Sequence, residues 1–378
     1  MPSLLPDAVP IAELRRVLVT KLRHHGDVLL TSPVFTTLAR AAPGTEVDAL
    51  VYAETAPMLA YHPHISQLHT IDREAKRAGT GALLSQERAL IKALRARRYD
   101  LIVHLTEHPR GLWLAVVLNP RYAVTRERPH KRLRRLWRRY YTHFFKEPAA
   151  TQRHVVDINL DALRRIGIYP TLDEKRLVLV PGREAEARAD ALIAEHALTR
   201  GQFVQAHPGS RWLFKCWPAS RMAALFDRIA AAGHTIVITG APDPEERALV
   251  STTLAATRPQ TRASIRDVAG KLSLSELAAL TARARIFVGV DSAPMHIAAA
   301  VGTPTVALFG PSGEASWGPW MVPHRVVASD EYSCRPCGLD GCGGGKVSEC
   351  LTTLPVDRVW SAFASLMAET EPLNLQNA

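Results

Sequence analysis

The sequence predicts an α/β protein built from two doubly wound halves, each a mostly parallel sheet with helices on both faces. Short apolar runs alternate with helix-period segments along most of the chain. The same alternation occurs before and after a polar stretch bracketed by Pro170 and Pro181. The 378 residues are enough for two domains, each with its own core. The expected division is residues 1–172, residues 173–355, and a closing helix and tail over 356–378. Ligands of such sheets bind beyond the carboxyl ends of the strands, so the strand-to-helix loops are where chemistry is sought.

In the first half, residues 17–21 are a short apolar strand, 28–40 carry helical apolar spacing, and 47–51 are a second strand. A helical stretch from Glu54 leads to a third strand over 67–71. Residues 85–98 form an amphipathic helix and 101–105 a buried-type strand. In the second half, 203–206 are a strand and 219–232 a helix ended by Gly233. Residues 235–239 are a strand followed by a helix from Pro244. Ser273 caps a helix over 273–284. Strands over 286–290 and 304–309 flank a helix near 295–301, and a last helix spans 356–369. The halves share architecture without a sequence repeat.

The formal charge of +11 favours anionic partners: nucleic acid, an anionic membrane face or phosphorylated substrates. The most apolar region, 286–309, is interrupted by Asp291, His296, Gly302 and Pro304, so it does not read as a membrane span. The amino terminus lacks an early basic region and a long apolar core and carries Asp7 and Glu13. It does not read as a signal peptide, and the expected location is the cytoplasm.

Three loops can carry chemistry. The first, Lys21-Leu-Arg-His-His-Gly-Asp27-Val-Leu-Leu-Thr-Ser-Pro33, lies where the first strand meets the first helix. Gly26 permits a tight turn, and Asp27 would point toward a bound substrate. The competing reading makes Asp27 an N-cap. The second, His207-Pro-Gly-Ser-Arg-Trp-Leu-Phe-Lys215-Cys-Trp-Pro218, offers donors at Gly209 and Ser210 and a point charge at Lys215, a set suited to a diphosphate. Its alternative is a plain connecting loop. The third runs from Gly289 through Asp291, Ser292, Ala293 and His296 to Pro304. There a strand ends just before a helix whose free N–H groups form an anion site. Its alternative makes Asp291 a cap and His296 a core residue.

Together these segments resemble the lipopolysaccharide heptosyltransferases of glycosyltransferase family 9, over roughly residues 17–356. Asp-Ser-Ala-x-x-His with the following Gly-Thr-Pro-Thr-Val-Ala-Leu-Phe-Gly-Pro is the most specific mark. The opening segment, with Val-Asp-Ala-Leu-Val-Tyr, looks closest to the heptosyltransferase III branch. The resemblance implies a GT-B fold, with acceptor binding in the first domain and nucleotide-sugar binding in the second. It implies inverting transfer of L-glycero-D-manno-heptose from ADP-heptose to a heptose of the lipopolysaccharide inner core, with no required cofactor. By the same resemblance Asp27 is the catalytic base. Gly209, Ser210, Lys215, Asp291, Ser292, Ala293 and His296 hold the donor, and Leu272 packs by the adenine. Gly209 stands where some members carry a hydroxyl residue. The acid that can hold the donor ribose has no clear counterpart, with Asp243 and Glu245 as candidates. No Asp-x-Asp pair occurs, so fixed positive groups rather than a metal on that motif would carry the leaving charge. The alternatives are a family 9 transferase with another nucleotide-sugar or acceptor, and a membrane-associated nucleotide-binding module without transfer activity.

Residues 126–146 carry nine Lys or Arg, among them Lys131, Arg132, Arg134, Arg135, Arg138 and Arg139, interleaved with aromatics. On a helix Leu133, Leu136, Trp137 and Tyr140 would share one face. This suits an anionic membrane surface, which the family resemblance implies is the cytoplasmic side of the inner membrane, where a lipid A–core oligosaccharide acceptor would meet the same patch. No nucleic-acid recognition motif accompanies the charge. The competing reading packs the aromatic stripe on the domain. Cys334, Cys337, Cys342 and Cys350 give four thiols in a glycine-rich segment, the ligand number of a structural zinc or iron–sulfur centre. In a reducing compartment they would not form structural disulfides.

Overall fold

A computed structural model of the chain describes residues 5–74, 80–106, 108–127, 134–147 and 152–370. It divides into two compact units, Met1–Val180 and Pro181–Ala378. The break follows Pro170 by ten residues, because segment 173–180 stays with the first unit. There the Val178 N–H donates to Ser32 Oγ at 3.0 Å. The helix over 356–369 belongs to the second unit.

In the first unit, β1 (Arg16–Thr20) leads to α1 (His25–Leu29) and α2 (Ser32–Ala41), then β2 (Glu46–Tyr52) and β3 (Gln67–Ile71). Next come α3 (Thr80–Arg97), β4 (Leu101–His104), α4 (Pro109–Leu118), β5 (Tyr122–Arg126), α5 (Arg134–Tyr140), β6 (His143–Phe145) and α6 (Val155–Arg164). All strands pair in parallel in the order β3-β2-β1-β4-β5-β6. The single helix expected over 28–40 is two. Pro33 sits in the first turn of α2, where its missing N–H costs nothing, and the Thr31 hydroxyl returns to the Val28 carbonyl.

The second unit runs α7 (Arg183–Glu195), β7 (Val204–His207), α8 (Ala219–Ala231), β8 (Ile236–Ile238), α9 (Pro244–Ala256), α10 (Pro259–Arg262) and β9 (Ile265–Asp267). It continues through α11 (Leu274–Thr281), β10 (Ile286–Val290), α12 (Ala293–Ala300), β11 (Thr305–Phe309), α13 (Glu314–Trp317), β12 (His324–Ala328), α14 (Glu349–Thr352) and α15 (Val356–Glu369). Its parallel order is β12-β11-β10-β7-β8-β9. Ser273 caps α11 in a full capping box with Glu276. The core packs Val204, Ala206, Val288 and Val290 against Trp217, Phe226 and Phe363, so α15 closes one face of this sheet. No helix among the described residues is long and apolar enough to cross a membrane.

Candidate functional site

Asp27 occupies the third position of α1, a single turn following β1. The residue at the cap position is His24, and Asp27 makes no hydrogen bond or ion pair among the described residues. The capping alternative is therefore not what the fold uses, and the half-buried carboxylate is left unspent. The turn itself is fixed from below. Val28, Leu29 and Leu30 are fully buried. The Asn159 amide donates to the Leu30 carbonyl at 3.0 Å, and Lys21 Nζ donates to Asn159 Oδ1 at 3.3 Å and to the Leu105 carbonyl at 3.2 Å.

In the second unit, β7 and β10 are adjacent in the sheet and deliver two of the three loops side by side. Lys215 Nζ donates to Asp291 Oδ2 at 2.6 Å. This ion pair joins the loop after β7 to the turn after β10. Ser292 takes the cap position of α12, yet no side chain caps that helix, and Ala293 and Pro294 open it. Asp291 is thus not a cap, and the N-terminal end of α12 keeps its anion-attracting character beside the Lys215 ammonium. Ser210 is buried and its Oγ accepts the Trp212 N–H at 3.3 Å. His296 is buried within α12, its ring 6.4 Å from that of Trp317. Leu272 is half-buried at the turn before α11 and packs on the core that includes Val237 and Val268.

A third acid, not singled out in the sequence, is Glu246. Asp243 is spent as the N-cap of α9, accepting from the N–H groups of Glu245 and Glu246, and Glu245 is exposed. Glu246, in the same first turn, is buried, and its Oε2 accepts the Ala241 N–H at 3.0 Å. His207 Nε2 lies 3.5 Å from that oxygen. His207 and the Ala241 N–H hold the Glu246 carboxylate below its ordinary range against a burial penalty that acts the other way. A Cβ at Gly209 would stand 2.5 Å from Oε2. Gly209 therefore leaves room for this carboxylate, which accounts for the absence of a hydroxyl side chain there. The available signal was the Asp-Pro-Glu-Glu register, which puts Glu246 at the position from which capping acids reach back.

Lys131, Arg132 and Leu133 lie outside the described residues, and Arg134 opens α5. Arg135, Arg138 and Arg139 are exposed and make no ion pair among the described residues. The expected common face divides. Leu136 is exposed, whereas Trp137 is buried, stacks on Tyr141 at 5.0 Å and packs with Leu112 and Ala115. The aromatic stripe is core and the arginines are surface. A cavity of about 470 Å³ beside β6 is also basic, but its Arg153 and Arg164 are paired to Asp161 and its Arg165 to Asp7.

The four clustered cysteines are free thiols, Cys350 buried and the other three exposed. Among the described residues no three His, Cys, Asp or Glu stand where they could hold a metal ion. The segment instead braces the loop after β7, since the Ser348 hydroxyl donates to the Phe214 carbonyl at 2.6 Å.

The family model for glycosyltransferase family 9 (heptosyltransferase) matches residues 87–347. The chain belongs to glycosyltransferase family 9. It is a glycosyltransferase of the GT-B fold. It is 35% identical to lipopolysaccharide heptosyltransferase 3 of Escherichia coli, over 79% of this chain and 84% of that one. The structure of a family 9 glycosyltransferase from Veillonella parvula is similar with a TM-score of 0.79 at 25% identity, covering 94% of this chain and 98% of that one. The Escherichia coli ADP-heptose lipopolysaccharide heptosyltransferase II is similar with a TM-score of 0.72 at 20% identity, over 94% and 99% of the two chains.

Proposed function

We propose that this family 9 enzyme transfers L-glycero-D-manno-heptose from ADP-heptose to a heptose of the lipopolysaccharide inner core, as a heptosyltransferase of the III type. Membership of the family and the likeness to heptosyltransferase 3 support the donor and acceptor classes. The observation that carries the chemistry is the Lys215–Asp291 pair beside the side-chain-free start of α12.

In this reading Asp27 accepts the proton of the acceptor hydroxyl as its oxygen attacks the anomeric carbon. The bond from that carbon to the diphosphate oxygen breaks with inversion, and ADP leaves carrying the charge. Lys215 and the α12 amides stabilise that charge, with Gly209, Ser210, Ser292 and Ala293 shaping the donor loops around it. Glu246 takes the role of the ribose-holding acid, Leu272 packs by the adenine, and His296 supports α12 from within. The exposed arginines of α5 would hold the enzyme against the anionic cytoplasmic face of the inner membrane, where a lipid A–core acceptor is presented.

The test is release of ADP from ADP-heptose with purified core acceptors. Asp27→Asn should lower kcat by about 10²–10⁴-fold, the usual contribution of a positioned base, while ADP still binds. Full activity of the variant removes Asp27 from the role. Absence of ADP release with every heptose-bearing core acceptor leaves a nucleotide-binding module.

A further inference from the structure

We propose that His207 is a positioning residue for donor recognition, fixing the Glu246 carboxylate so that one oxygen is turned to the hydroxyls of the donor's ribose. The inference rests on the assignment of Glu246 to the ribose.

His207 closes β7 and is buried. Its ring spans the space between two strand ends. Nδ1 lies 2.9 Å from Thr239 Oγ1, just beyond β8, and that hydroxyl is itself anchored at 3.2 Å on the Ala206 carbonyl. Because the Thr239 proton goes to Ala206, the ring donates Nδ1–H to Thr239 Oγ1 and is held in its plane from that edge, while Nε2 faces Glu246 Oε2 at 3.5 Å and forms an ion pair with it when the ring carries both protons. The Ala241 N–H reaches the same oxygen at 3.0 Å. Both contacts fall on Oε2, and Oε1 makes no hydrogen bond among the described residues. A carboxylate gripped by one oxygen presents the other, and a buried carboxylate with an unused oxygen is suited to accept from a sugar hydroxyl. Without the ring, Glu246 keeps a single backbone contact and regains rotamers that point Oε1 elsewhere. A purely structural histidine would support the fold without affecting which nucleotides bind.

The experiment is calorimetric titration of the full chain with ADP and with 2′,3′-dideoxy-ADP. The wild type should prefer ADP by about 10–100-fold, the value of hydrogen bonds to a charged acceptor. His207→Ala should cut that preference to below about threefold while dideoxy-ADP binds as in the wild type. His207→Gln, whose amide N–H reaches in a similar direction, should restore part of it. Retention of the full preference in both variants overturns the positioning role. Absence of any preference in the wild type overturns the Glu246 assignment instead, so the two failures are distinguishable. If the alanine variant does not fold, Thr239→Val made with His207 in place, which releases the other edge of the ring, carries the same comparison beside the glutamine variant.

Discussion

Gly209→Ala tests the donor loop most directly, because the perturbation is one methyl group. The φ of Gly209 is not in the left-handed region, so the backbone tolerates alanine and the effect is steric alone. The added Cβ would lie 2.5 Å from Glu246 Oε2 and 2.9 Å from its carboxyl carbon. Ordinary contact begins at 3.4 Å, so the oxygen must retreat by about 0.9 Å (3.4 − 2.5). A surface glutamate would swing aside freely. This one is buried and held by Ala241 and His207. A retreat of that size takes the 3.0 Å bond from Ala241 out of hydrogen-bonding range. Such a bond to a charged acceptor is worth about 1.5–3 kcal/mol, and repacking recovers part of it. Roughly 1.4 kcal/mol should remain, a tenfold weaker affinity for ADP. Calorimetry with ADP reads this directly, and saturating donor should restore most of the turnover. ADP affinity within about twofold of wild type would refute the placement of Glu246 under this loop.

Gly111→Ala should destabilise the first unit by about 1–3 kcal/mol in denaturant unfolding, because its methyl would overlap the buried His104 ring, whose Nδ1 is already tied to Thr20 Oγ1 at 2.5 Å. Burial lowers His104 from 6.5 to about 3. The folded protein keeps it neutral, so its contribution is whole above pH 6.5 and is lost as pH falls toward the folded value, by about 2 kcal/mol at pH 5. The loss in denaturant midpoint between pH 7 and pH 5 should be smaller in His104→Asn. Reversal of Arg135, Arg138 and Arg139 to Glu should remove at least about 3 kcal/mol of attraction to anionic vesicles, at about 1 kcal/mol per basic residue. Unchanged sedimentation with such vesicles would leave the patch a solvated surface.

Most interior strands were legible in the sequence, with β5 missed, and three of the four edge strands were not, β3 being read at 67–71 as found; the main reason is burial. β1, β4, β10 and β11 are buried along nearly their whole length, so their residues are mostly apolar in continuous runs, and β7 is equally buried although Gln205 and His207 interrupt its apolar residues. The edge strands β6, β9 and β12 read His-Phe-Phe, Ile-Arg-Asp and His-Arg-Val-Val-Ala. They are short and mixed because one side has no neighbour to exclude water, and nothing in their composition separates them from loops. The basic segment shows a different limit. Its 3.6-residue spacing was readable, but which side of the helix meets the domain was not. Trp137 went into the core and Leu136 to the surface, since the choice is made by Leu112 and Ala115 on α4. Glu246 was passed over for a similar reason. Of three neighbouring acids, the one proposed for the ribose is the one the fold buries, beside His207 of β7, and that burial is not written in the local sequence.

The Lys215–Asp291 pair bears on how the enzyme would turn over. An ammonium already 2.6 Å from a largely buried carboxylate is neutralised in the resting protein. On the proposed assignment of Lys215 to the donor, the diphosphate would either share Lys215 with Asp291 or take it over. Sharing is the cheaper course, because freeing Asp291 would leave a buried carboxylate unpaired. Lys215 has three protons to donate and is partly exposed, so it can keep one bond to Asp291 and turn the others to phosphate oxygens. The carboxylate then tempers the attraction for ADP while fixing the direction of the ammonium. Charge that builds on the leaving oxygen strengthens the contact during bond breaking more than it strengthens binding of the intact donor. That is the difference a catalyst needs between the transition state and the ground state. In the proposed site it would also keep ADP from being held so tightly that its release would limit the cycle.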